Sequence, residues 1–312
     1  MRLRFMIKNR IEDGKTVFAH GEEAYEMYEK SPENIEVVFP MKEGEISQFQ
    51  SMQYLLTKLL KSGKRRIGAK YVVAMPGDVT AVQKRAFFDL VVHSAAKAKE
   101  VSVVERGVAD AIGAGLIPQK GLFIVNFGGE TTELSVLSYG GLVLNKIIKT
   151  GGSTLDESIV NRVHHHYGFL IGKLTAESLR NEFGLFDDTG QKRIMVAGKS
   201  LQTGALMQKE IPVNLVRAAI KECLDEVAKA IQSMLERTPP ELLSQIWKRG
   251  LYMTGGLANL SGISTYIKGV TNLRVTIAKH PELSAVKGLR RIISSKELQN
   301  LAYSMPDDNF RW

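Results

Sequence analysis

The chain has 312 residues, 44% of them hydrophobic and 24% charged, a balance that excludes a disordered polymer and leaves room for two packed lobes. Forty-two Lys and Arg against 33 Asp and Glu give a net charge of +9, which directs attention to anionic partners: a membrane surface, a nucleic acid or a nucleotide. No apolar run approaches the roughly 20 residues of a spanning helix. The start, Met1-Arg2-Leu3-Arg4-Phe5-Met6-Ile7-Lys8, is too short and interrupted for a signal peptide, and the lone Cys223 excludes an intrachain disulfide or a thiolate metal cluster. These features favour the cytoplasm.

Strands and helices alternate along the chain, the pattern of an α/β fold. Arg2, Arg4, Lys8 and Arg10 interleave with Leu3, Phe5 and Ile7 at period two, which predicts a strand. Tyr71–Pro76 reads as a buried strand. Thr80, with Gln83 three residues on, predicts a capping box for a helix running to about Ala98. Its cluster Phe87, Phe88, Leu90, Val91 and Val92 suits a buried helix, with any surplus available for a filament contact. Val101–Val104 is the next strand, followed by a helix from about Gly107 and a break at Gly113 and Gly115.

Strands at 122–126, 131–138 and 142–149 form a predicted meander. Thr154 and Glu157 suggest a second capping box for a helix ending near Gly168. A shorter helix follows at 175–184 and a hairpin at 192–212. From Val213, the apolar residues Val216, Ile220, Leu224, Val227, Ile231 and Met234 keep helical spacing. Thr238-Pro239-Pro240-Glu241 starts another helix. Leu251–Thr254 is a strand running into Gly255-Gly256, a helix opens near Ser261, Val275–Ile277 is a short strand, and 283–293 is the last helix.

The chemistry-bearing segment is the turn between the first two meander strands, Gly128-Gly129-Glu130-Thr131-Thr132-Glu133. A strand breaking into Gly-Gly-x-Thr-Thr and returning as a strand suits phosphate, because glycines let amides approach an anion and hydroxyls complete the cradle. Rival sites are weaker. His164-His165-His166 are consecutive on a helix, about 100° apart, and do not converge on one ion. No helix-turn-helix, zinc spacing or aromatic–basic interleaving points to nucleic acid.

The order of these pieces resembles MreB, the family of bacterial actins that organise rod-shaped growth. The resemblance runs from about Gly21 to Leu289. It rests on Gly21-Glu22-Glu23-Ala24 with Pro32-Glu33-Asn34-Ile35, on Ala111–Leu116, on the 128–133 turn, and on Leu170-Ile171-Gly172 with Thr175-Ala176-Glu177. Leu235–Leu242 and Arg249-Gly250 leading to Thr254-Gly255-Gly256 complete it. It implies an actin-like (ribonuclease H-like) α/β fold of two lobes, each a mixed sheet flanked by helices. The first lobe would take 1–118 plus 285–312, with a small subdomain at about 21–62. The second would take 119–284, with a small subdomain at about 170–212.

The resemblance further implies nucleotide-binding positions at Gly128, Gly129, Thr131, Thr132, Arg180, Glu182, Gly255 and Gly256, and ATP with magnesium as cofactors. Several positions depart from it. The family's opening phosphate loop, Asp-x-Gly-Thr-x-Asn or similar, is not found in residues 1–20. Asn126 stands where the family has an Asp, and an amide holds a hard divalent ion more weakly than a carboxylate. Glu130 replaces a glycine and sets a carboxylate beside the phosphate cradle. Arg106 replaces the Glu that positions the attacking water, and Arg accepts no proton.

The reading is therefore a cytoskeletal protein of the MreB type, acting in cell shape and wall-synthesis positioning, with a degenerate ATP site and weak or no hydrolysis. Its expected partners are itself or a catalytically complete relative, the wall-synthesis machinery and the inner face of the cytoplasmic membrane. Lys64, Arg65, Arg66 and Ile67, in the densest basic run, are the candidate membrane contact. The alternative is a working ATPase whose first phosphate loop lies upstream of residue 1.

Overall fold

The computed structural model describes residues 6–9, 17–62, 69–94, 98–116, 121–185 and 192–304. The chain divides into two compact units, one of residues 1–75, 79–104 and 296–312, the other of residues 76–78 and 105–295. The changeovers thus fall at 104/105 and 295/296, whereas the sequence reading drew them at 118/119 and 284/285. Helices 106–113 and 284–294 pack on each other and stay in one unit.

In the first unit, β1 (Met6–Asn9) lies between β2 (Val17–His20) and β3 (Ile35–Val38), antiparallel to both, and the short α1 (Glu22–Glu26) follows β2. A tight hairpin joins β4 (Met41–Lys42) to β5 (Glu45–Ile46), with Glu43 and Gly44 both at positive φ, the backbone that two-residue hairpin turns require. Then come α2 (Phe49–Ser62), β6 (Lys70–Met75), α3 (Ala81–Val92) and β7 (Glu100–Glu105), with β6 paired to β7.

Helix α3 has the predicted capping box: Gln83 N–H donates to Thr80 Oγ1 at 3.2 Å, and Thr80 N–H donates to Gln83 Oε1 at 2.8 Å. It stops earlier than the predicted Ala98, because Ser94 donates both its amide and its hydroxyl to Val91 O and draws the backbone out of the helix. Phe87 packs with Met75 and Val103, and Phe88 and Val91 pack with Val101. Leu90 is also buried, so of the apolar cluster only Val92 faces solvent.

The second unit is built on a five-stranded mixed sheet. Strands β8 (Leu122–Phe127), β9 (Thr132–Ser138) and β10 (Gly141–Ile148) form the predicted meander, and α4 (Arg106–Gly113) precedes them. Next come α5 (Gly152–Tyr167), β11 (Phe169–Leu170), α6 (Lys173–Phe183), β12 (Arg193–Ser200), β13 (Leu206–Pro212), α7 (Val213–Arg237) and α8 (Pro240–Arg249). Strand β14 (Leu251–Thr254) returns parallel to β8, and after α9 (Ile263–Thr271) β15 (Val275–Ile277) adds parallel to β14. Helix α10 (Ser284–Ser294) closes the unit. Strands β11–β13 make a separate antiparallel sheet.

Two predicted caps are placed differently. Helix α5 begins at Gly152, not after Thr154, because the amides of Gly152 and Ser153 donate to Gly128 O (3.2 Å) and Gly129 O (2.7 Å). The turn itself satisfies the first amides of the helix. Thr238 ends α7 instead of starting α8: its hydroxyl donates back to Met234 O at 2.7 Å, and Pro239 is the residue before α8.

Register sorts the sheet's side chains onto two faces. Phe123, Val125, Phe127, Leu134 and Val136 point into a large apolar core shared with α5, α7 and α9. Ile124, Asn126, Glu133 and Ser135 point the other way, toward α4, which packs on β8 and β9. Behind α4, α10 approaches until backbones touch. A Cβ on Gly288 would lie 1.8 Å from Ala109 O, and one on Gly113 would lie 1.8 Å from Ser284 O.

Candidate functional site

Parallel pairing of β14 with β8 aligns Thr254 with Asn126, and antiparallel pairing of β8 with β9 aligns Asn126 with Glu133. Three polar side chains thus form a row at the carboxyl ends of the parallel strands, where open α/β sheets hold ligands. Helix α4 lays Asp110 and Arg106, one helical turn apart, over this row.

The row is partnered in part, and Thr254 Oγ1, Glu133 Oε2 and Asn145 Oδ1 are buried without a hydrogen-bond partner. Asn126 Nδ2 donates to Asp110 Oδ2 at 2.6 Å. Glu133 Oε1 accepts from Gly77 N at 2.8 Å and from Asn145 Nδ2 at 3.0 Å, and Glu133 Oε2 lies 3.6 Å from Arg106 Nε. Asn145 also donates to Ser135 Oγ at 2.9 Å. Asp110 has no exposed surface, and its Oδ1 has no hydrogen-bond partner. Burial pushes the Asp110 carboxyl from 3.8 up to about 7; Glu133 adds to the rise, while the Asn126 amide, Arg106 and Thr254 oppose it. Burial thus favours the protonated form of this carboxyl.

The turn that follows β8 is built as predicted, but its groups have other occupations. Gly128 N donates to Thr131 O at 2.9 Å and closes the turn. Thr132 is buried, and its hydroxyl donates to Thr150 O at 2.7 Å; Thr150 Oγ1 in turn donates to Glu226 Oε2 at 2.7 Å. Thr131 is buried too, while Gly128, Gly129 and Glu130 are half-buried at the tip. The Glu130 carboxylate accepts from Ser153 Oγ at 3.1 Å, in the first turn of α5, where the positive helix end favours a negative charge.

Gly255, at φ +83°, turns the chain out of β14, and a Cβ there would meet Phe127 O at 2.3 Å and Asn126 Oδ1 at 2.9 Å. Only glycine fits, and the second glycine of the pair, Gly256, opens a short 3-10 turn over Gly256–Asn259. Arg180 is buried and forks onto Asp156 of α5, Nε to Oδ1 at 2.7 Å and Nη2 to Oδ2 at 3.3 Å. Its guanidinium lies beside Gly152 and therefore beside the 128–131 turn. Glu182 is exposed near the end of α6, whose exit is tied to the Gly255 region through Leu185 N to Ser261 O at 2.8 Å.

Asn126, Gly128, Gly129, Thr131, Thr132, Arg180, Gly255 and Gly256 are thus brought to one end of the sheet, with Arg106 joined through Glu133. Lys64, Arg65, Arg66 and Ile67 lie outside the described residues. Sequence reasoning missed Asp110, Asn145 and Asp156. The signal for Asp110 was present: it is the one charged residue in Gly107-Val108-Ala109-Asp110-Ala111-Ile112, a helix stretch otherwise small and apolar. Among the described residues, no group of His, Cys, Asp and Glu is arranged to hold a metal ion, and no helix is long and apolar enough to cross a membrane.

A mixed sheet with helices on both faces, a Gly-Gly-x-Thr-Thr turn after β8 and a second glycine turn after the parallel β14 define an actin-like protein. The MreB/Mbl protein family matches residues 6–300, and the chain belongs to it. Cell shape-determining protein MreB of Escherichia coli K12 is 33% identical over 288 residues, 90% of this chain and 82% of that protein. Cell shape-determining protein Mbl of Bacillus subtilis 168 is 32% identical over 273 residues, 85% of this chain and 81% of that one. The crystal structure of MreB5 of Spiroplasma citri bound to ADP superposes with a TM-score of 0.89 at 26% identity, covering 96% of this chain and 90% of that one. A MamK double helical filament shares the fold at TM-score 0.77 and 17% identity, over 94% of this chain and 91% of that one. The chain is an actin-like member of a family of cell shape-determining proteins.

Proposed function

We propose that this family member works as a scaffold subunit: it self-associates, or co-assembles with a catalytically complete relative, and hydrolyses ATP weakly or not at all. Arg106 carries the reading. It stands where the family resemblance expects the residue that positions the attacking water, it accepts no proton, and its guanidinium is directed onto the buried Glu133. Asn126, in place of the expected carboxylate, donates its amide to Asp110 and offers magnesium no negative charge.

Any nucleotide that binds at the 128–132 turn is an adenine nucleotide held weakly. MreB5 of Spiroplasma citri has been solved with ADP and with AMPPNP, at TM-scores of 0.89 and 0.88 to this chain. In this chain the Glu130 carboxylate beside the turn weakens the hold on terminal phosphates, and Asn126 weakens the dependence on magnesium. The MamK filament supports self-association as the mode of action. The inner face of the cytoplasmic membrane and the wall-synthesis machinery are the setting that a shape-determining role implies.

The test is titration of a fluorescent ATP analogue with and without magnesium, alongside pelleting of the protein. Weak or absent binding that ignores magnesium, with assembly that proceeds without nucleotide, is the expected result. Tight magnesium-dependent binding that drives assembly contradicts the proposal and favours a working ATPase.

A further inference from the structure

At the end of α4 away from Arg106, the second unit carries a basic hollow that the nucleotide reading does not use. Two adjoining cavities of about 360 and 470 Å³ share Gly113, Lys287 and Arg291 on their walls. Arg290 and Ser294 line the first; Ala114, Gly115, Lys279 and His280 line the second. These volumes fall in the usual range of small-ligand sites.

The cations are held in place by backbone carbonyls, and only Lys287 feels a nearby carboxylate, that of the exposed Glu282. Arg291 Nη1 donates to Ile112 O at 2.7 Å, and Lys287 Nζ donates to Lys279 O at 3.0 Å. Both are tethered by neutral carbonyls. Among the described residues, no carboxylate lies within salt-bridge distance of Lys279, Lys287, Arg290 or Arg291. Glu282, the acidic side chain of this segment, is turned to Asn259 Nδ2 (3.2 Å) and His280 Nδ1 (3.8 Å).

Helix electrostatics do not explain the arrangement. A cation in the last turn of a helix is favourable, which accounts for Arg291, but Lys287 is the fourth residue of α10, where the dipole disfavours it, and Lys279 is on a different segment. Gathering like charges around a hollow lowers stability unless an anion shares it. The wall between them is backbone: Gly113 has no side chain to intrude, and Gly115, at φ +85°, leaves its α-carbon open toward the Arg291 guanidinium.

We propose that this hollow is a second anion site, distinct from the 128–132 turn, that binds a phosphate group between Lys287, Arg290 and Arg291 with Lys279 at its rim. The phosphate can come from a soluble diphosphate-type compound or from an anionic lipid headgroup; Val286 and Ile293, 63% and 49% exposed on α10, would give a lipid surface apolar contact.

The experiment uses the full chain at low salt. Calorimetric titration with inorganic pyrophosphate tests the soluble source, and sedimentation with phosphatidylglycerol against phosphatidylcholine vesicles tests the lipid source. Binding of either probe is expected to weaken about tenfold or more in K287Q/R290Q, which removes two charge-assisted contacts. Circular dichroism checks that the variant is folded. If it is not, R290Q alone, at an exposed position, is expected to weaken binding about threefold or more. The assignment is overturned if neither probe binds, or if either probe binds the folded variant as it binds the unaltered chain, which would place the anion at the 128–132 turn instead.

Discussion

The two faces of the five-stranded sheet solve opposite problems with the same strands. One face buries Phe123, Val125 and Phe127 against α5, α7 and α9, where apolar surface leaves water and no partner need be specified. The other buries Glu133 and Ser135 and half-buries Asn126 under α4, where each polar atom needs a named partner or costs stability. The first face makes the fold. On the second, Arg106 lies 3.6 Å from Glu133 and Asn126 donates to Asp110. The apolar face needs only matching shape, whereas the polar face must give each charge and amide a particular partner.

The sharpest way to break this comparison is to remove the helix pair that covers the polar face. Gly288→Val drives a side chain into the Ala109 backbone and is expected to cost about 4 kcal/mol or more in urea unfolding. On the apolar face, Phe127→Ala leaves a cavity and is expected to cost about 3–5 kcal/mol. On the polar face, Arg106→Ala strands the buried Glu133. It is expected to cost about 2 kcal/mol, less than a fully buried pair because the Arg106 side chain is 21% exposed.

Asp110 sharpens the comparison through pH. In the folded protein its carboxyl keeps a proton up to about 7, whereas the unfolded value is near 3.8. Between those values the folded state binds the extra proton, so the stability Asp110 contributes falls as pH rises from about 4 to about 7. Asp110→Asn removes this dependence. Thermal melts of the variant and the unaltered chain are expected to diverge with rising pH, the variant being the more stable by a few kcal/mol at pH 8. Parallel curves would show that Asp110 does not retain its proton. The smallest effect is at the turn: Glu130→Gly should change stability by under about 0.5 kcal/mol and tighten binding of the ATP analogue.

Local physics was legible in the sequence. The Thr80–Gln83 cap, the strand–turn–strand at 122–138 and the long apolar spacing of α7 appear where the residues put them, because each depends on neighbours a few positions away. The partners of the candidate site residues were not legible. The Thr132 hydroxyl donates to Thr150 O, 18 positions on. The Arg180 guanidinium forks onto Asp156, 24 positions back. Helix α5 starts two residues before Thr154 because the turn's carbonyls, not a side chain, receive its first amides. These partners come from tertiary approach, which spacing alone does not encode.

The most direct measurement is steady-state phosphate release from saturating ATP and magnesium by the purified chain, beside a relative that carries Glu and Asp at the positions of Arg106 and Asn126. Release at the level of a protein-free blank is the predicted result. Sustained release at the relative's rate would contradict the view that the polar face of this sheet has been turned from chemistry to structure.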